Sequence, residues 1–217
     1  MGVTSSLTIA CVTYFIGTVS PGPASLTIAG VAARHGRAAG LITVMGVVTG
    51  SVIWSLVSVF GMGALLLSRP VLLYTLGLFG GFYLCWLGWR ALRTVRGGAQ
   101  STLTTAEGAK LKGWKEHYFL GLSVHLTNPK ALVVWMSVIT LALPVGSTCR
   151  VLPLLIALGC VLIAIAVFST YALVFSHSSV VRTYYRLSRG VNVLIAVLFV
   201  ILGLGLLYRS VTVLLRI

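Results

Sequence analysis

Acidic residues are nearly missing from this sequence: Glu107 and Glu116 stand against 16 basic residues, and only 8% of the 217 residues are charged. Soluble domains are about a quarter charged, so a chain that is 58% hydrophobic has too few charges to cover its own surface in water. The shortage also removes classes of chemistry. No Asp or Glu falls inside any long apolar run, which excludes an acidic proton relay or a carboxylate cage for a cation there. It also leaves no catalytic pair for an intramembrane enzyme. Metal or redox spacing is absent among the cysteines: Cys11, Cys85 and Cys160 lie in apolar runs and Cys149 stands alone in a connection. No enzymatic activity, metal or other cofactor is therefore expected. The formal charge of +14 raises nucleic acid as a partner, but the basic side chains are scattered between apolar runs and form no basic face. No nucleic-acid partner is expected, and membrane lipid is.

What is present is a series of six apolar runs, near residues 7–33, 38–67, 71–89, 117–143, 151–175 and 191–208. Most approach or exceed the roughly 20 residues a helix needs to cross hydrocarbon, and none shows the alternation of a membrane strand. The N-terminus has no basic region ahead of its apolar run, so a cleaved signal peptide is not expected. The fold class that follows is an all-α integral membrane protein with six transmembrane helices. One hydrophilic stretch, residues 95–115, divides residues 1–94 from residues 116–217, giving three helices to each half.

The basic residues then orient the chain. Arg34, Arg37, Arg90, Arg93, Arg96, Lys110, Lys112, Lys115, Arg182, Arg186 and Arg189 fall in the first, third and fifth connections, against Arg69 and Arg150 in the second and fourth. Positive charge is retained in the cytoplasm, so both termini are expected on the external, periplasmic face, with Arg209 and Arg216 as the charges that run against the pattern. Three helices per half is an odd number, so the halves enter the membrane in opposite senses. Gly46 with Gly50, and Gly77 with Gly81, offer small faces for close helix contact. Such faces and a mass of 23.0 kDa are compatible with a homodimer.

Both halves open with an interrupted helix. Pro21 and Pro23 lack amide hydrogens and flank Gly22, so no regular helix runs from Ser20 through Ala24 to Ser25. Asn128 and Pro129 interrupt the fourth run, and Lys130 adds a cation that cannot face lipid cheaply. Freed backbone groups at membrane depth are tolerated only inside protein or beside a water-filled cavity. Paired discontinuous helices in inverted repeats characterise secondary transporters. The helix beginning near Ala24 would aim free amides at an anion such as a substrate carboxylate, with Lys130 adding attraction. His125, three residues before Asn128, is the best-placed group for proton coupling. Tyr14, seven residues before Pro21, faces the same way as the first break. Trp54, Trp86, Trp89 and Trp135 read as packing or interface residues. The residues alone leave two readings open, a carrier working by alternating access and an oligomeric channel or uncoupled facilitator for small polar solutes.

The segments SPGPASL (20–26), GRAAGL (36–41), GVVTG (46–50), LGLFGGFYLCWLGWRALR (76–93) and GLSVHLTNPKALVVW (121–135) resemble the LysE/RhtB family of bacterial amino-acid exporters. The resemblance spans nearly the whole chain. It implies a six-helix carrier of the bacterial inner membrane that expels amino acids or close derivatives, driven by the proton gradient. Pro21, Gly22, Pro23, Asn128, Pro129 and Lys130 would occupy its central site. Many relatives carry Asp where this chain has Ser51, and some carry His where it has Trp54. Both departures favour a neutral or zwitterionic substrate over a cationic one.

Overall fold

A computed structural model of the chain describes residues 2–62, 70–96, 113–142 and 151–215, and every regular element among them is helical. The hydrophilic connection falls largely outside these residues, as do Arg69, Pro144, Cys149 and Arg150.

Proline sets the element boundaries. Helix α1 (Val3–Val19) stops at Ser20, whose extended backbone (φ −66°, ψ 131°) leads into Pro21. Helix α2 (Pro23–Leu56) restarts with Pro23 in its first turn, where a missing amide hydrogen is harmless. Within α2, Gly36 adopts φ 84° and ψ 173°, which splits the 34-residue helix into two stretches. It is the single positive φ among the described residues, so the turn expected at 34–37 is carried by one glycine. Val57–Met62 continues α2 as a π-helical turn. Proline also opens α3 (Pro70–Arg96), and Thr127 and Asn128 separate α4 (Trp114–Leu126) from α5 (Pro129–Ala142). The chain closes with α6 (Val151–Phe175) and α7 (Ser178–Leu214).

Among the described residues, Pro23–Phe60, Val151–Phe175 and Ala196–Leu214 are long and apolar enough to cross a membrane. Helices α1 and α5, at 17 and 14 residues, fall short on their own because a break divides each apolar run.

Helix α3 packs along α7, α2 against α4 and α6, and α1 against α5 and α6. Glycine makes the tightest contacts. A methyl at Gly46 would strike the Tyr118 carbonyl, and one at Gly121 the Thr43 carbonyl, so α2 and α4 meet backbone to backbone. The other small faces do the same work: Gly50 lies on His125, Gly77 on Ser210 and Gly81 on Leu207. In lipid, where apolar burial gives helices little drive to associate, such contacts supply dispersion instead.

Helix α5 is the core element, with 11 of its 14 residues buried, Lys130 included. Helices α6 and α7 turn Leu154, Leu158, Leu162, Leu194, Ile201 and Leu204 outward, a surface suited to hydrocarbon. At the far end of α5, the Arg209 guanidinium donates to the Leu141 carbonyl, so this charge satisfies a helix-end acceptor.

Candidate functional site

The two breaks meet. Lys130, in the first turn of α5, donates from Nζ to the Ser20 carbonyl (2.6 Å) and to Ser20 Oγ (2.5 Å) at the end of α1. Its ammonium also lies 5.2 Å from the centroid of the Phe199 ring. Lys130 is only 8% exposed, yet no carboxylate joins it: Glu116 is the one acid among the described residues, and no acid lines the site. Gly22 makes room for the lysine, since a Cβ there would stand 2.9 Å from Nζ and 3.1 Å from Cδ.

The breaks are chemically unequal. At the end of α1 the freed carbonyls are nearly all taken: Ser20 N–H donates to Ile16, Ser20 Oγ to Gly17, and Tyr171 Oη to Val19. The Ser20 carbonyl goes to Lys130. At the start of α2 the Gly22 amide is held by Ser25 Oγ (2.8 Å) and Pro23 has no amide hydrogen. Helix geometry therefore frees the Ala24 and Ser25 amides. At the start of α5, by contrast, Asn128 Oδ1 accepts the Lys130 amide (3.0 Å) and the Asn128 carbonyl accepts the Ala131 amide (3.0 Å). The first break thus offers amides, and the second caps itself and contributes a cation.

Around them is a cavity of about 30 Å³, lined in part by Tyr14, Gly22, Ala24, Ser25, His125, Asn128 and Lys130. That is room for water and far below the few hundred Å³ of a ligand pocket, and Lys130 is part of its wall. Of the residues expected from the sequence, Pro21, Pro23 and Pro129 do not line the cavity. They make the breaks, and Pro23 and Pro129 are exposed. Tyr14 exchanges a hydrogen bond with Ser51 Oγ (2.6 Å) and packs its ring 4.9 Å from Trp135. His125 is buried against Gly50 and the Phe168 ring, and neither ring nitrogen has a partner among the described residues.

Three contributors, Ser20, Phe168 and Phe199, were given no role by the sequence reading, and a fourth, Trp135, was given a different one. Ser20 sits inside the SPGPASL motif but carries no charge to distinguish it. Trp135, read there as a packing residue, lines the cavity with its indole N–H unpartnered. Phe168 and Phe199 have no sequence signal, since an aromatic in an apolar run looks the same facing lipid or cavity. Trp54 does not line the site and donates to the His125 carbonyl (3.4 Å).

A profile of the LysE type translocators matches residues 15–210. The chain is 28% identical over 208 residues to the threonine efflux protein of Escherichia coli K12, covering 93% of this chain and 96% of that protein. A membrane protein of Haemophilus influenzae is 25% identical, over 92% of this chain and 95% of its own length. The leucine efflux protein of Klebsiella pneumoniae is 30% identical over 58% of this chain and 59% of its own. No solved structure matches the chain.

Proposed function

Since the chain belongs to the LysE type translocator family, we propose that it exports small neutral or zwitterionic amino acids, or close derivatives, across the bacterial inner membrane. The observation that carries this reading is the buried Lys130 at the junction of the two breaks, set beside the free amides of α2. A cation and a helix N-terminus together suit a carboxylate. The absence of any acid from the lining disfavours a substrate with net positive charge.

In this reading the chain crosses the membrane six times, as residues 1–94 and 116–217 in opposite senses. The broken helices α1–α2 and α4–α5 stand at the centre, and both termini lie outside. The basic residues of the odd connections support this orientation. The two halves rock around the breaks, and two copies associate as a homodimer. His125, buried beside the cavity with both ring nitrogens unpartnered, carries the coupling proton. Coupling by His125 predicts that His125→Gln transports without dependence on an imposed pH gradient; unchanged pH dependence removes the residue from that role.

Transport by purified protein in vesicles tests the function. A panel of amino acids that includes threonine and leucine is supplied with and without a pH gradient. Saturable flux of at least one neutral amino acid is expected. Flux that stays linear at high concentration would instead indicate a channel, and no movement of any amino acid would remove the exporter reading.

A further inference from the structure

The first break places two polar ends of opposite character within six residues of chain, Ser20 to Ser25. Its carbonyl end, at Ser20, is a cation site: a terminal helix carbonyl, a hydroxyl lone pair and the face of Phe199 converge on a primary ammonium. Its amide end, at Ala24 and Ser25, has first-turn amides and no acid beside it among the described residues. The carbonyl end is taken by Lys130.

We infer that the Ser20 carbonyl and hydroxyl, with Phe199, form the ammonium subsite for the substrate, and that Lys130 is a stand-in that occupies it between transport events. This deepens the exporter reading and rests on it. An α-amino acid carries ammonium and carboxylate on one carbon, which matches two sites on either side of Gly22. Its ammonium takes the place of Nζ at Ser20, its carboxylate docks on the Ala24 and Ser25 amides, and the displaced Lys130 turns to that carboxylate. Each ionic group changes partner and none is left unpaired. The site therefore binds an ammonium without a protein carboxylate, and the lysine blocks the small cavity when no substrate is present. Both charged groups of the substrate are required, and a second cationic group on its side chain has no partner.

The test compares three solutes in the same vesicles: a transported amino acid, its 2-hydroxy acid and its amide. Losing one charge-assisted partner set lowers kcat/KM by about tenfold to a hundredfold, so both analogues are expected to fall by at least about tenfold. A 2-hydroxy acid moved within about twofold of the amino acid overturns the ammonium subsite while leaving the exporter reading intact. If no solute moves, the exporter reading falls and the inference with it. A second measurement needs no transport. In Lys130→Met the subsite is vacated, so propylammonium is expected to raise the variant's melting temperature and not that of the wild type. Equal effects on both proteins overturn the stand-in role.

Discussion

At the scale of single residues, the one charged side chain lining the cavity, Lys130, has no carboxylate beside it. Lys130 is held by one carbonyl and one hydroxyl, an arrangement that binds an ammonium without the strength of an ion pair and so lets it go. Gly22 is the residue that permits it. Gly22→Ala would push Nζ off Ser20, and because the tip of a lysine is flexible the fold should survive. Transport is expected to weaken by about tenfold or more, the cost of one charge-assisted hydrogen bond; measured KM and melting temperature check the two halves of that statement. Elsewhere the protein tolerates unpaired groups with no such purpose on view. Ser210 Oγ, Thr140 Oγ1 and Tyr74 Oη are buried without partners among the described residues, and Gly77 lies directly beneath Ser210. Ser210→Ala removes an unsatisfied hydroxyl whose burial costs about 1–3 kcal/mol, so the variant should melt a few degrees higher; a lower melting temperature would show that the hydroxyl is satisfied. Prolines and an isolated lysine in apolar runs were legible in the sequence because each breaks a rule of its surroundings. Ser20, Trp135, Phe168 and Phe199 break none, and only three-dimensional placement separates them from lipid-facing neighbours.

At the scale of elements, the breaks divide labour. Prolines end α1 and start α2 and α5, but only the start of α2 is left with amides to offer, since Asn128 caps α5 from within. That asymmetry was not legible in the paired motifs, because it depends on which side chain turns back onto its own backbone. The existence of helices and their interruptions was legible from run length and proline alone. Their facing surfaces were not: when every face of a helix is apolar, periodicity carries no direction. The glycine pairs were the exception, and they mark real contacts. Helices α2 and α4 meet so closely at Gly46 and Gly121 that an added methyl has only backbone to displace. Gly46→Ala should therefore separate the helices and cost about 1–3 kcal/mol, read as a lowered melting temperature in detergent. An unchanged value would contradict backbone contact between α2 and α4 at this position.

At the scale of the whole molecule, α5 is the enclosed element, and the helices around it turn large apolar side chains outward, Phe79 and Phe82 of α3 as well as Leu158 of α6 and Leu194 of α7. The basic residues read from the sequence as a connection, Arg182, Arg186 and Arg189, fall within α7. The proposed orientation rests on the sequence alone, because it depends on counting charges and not on contacts. It predicts that an impermeant thiol reagent applied to intact cells labels Gly2→Cys and Leu215→Cys and spares Gly113→Cys, in a background without native cysteine. The opposite pattern would invert the topology and with it the direction of export. The central claim is that the two breaks form one substrate site through Lys130. Counterflow of a labelled amino acid into vesicles, compared between wild type and a folded Lys130→Met variant of matched melting behaviour, tests it most directly. The account predicts saturable counterflow in the wild type and a loss of about tenfold or more in the variant; equal KM and equal maximal rate in the two proteins would contradict it.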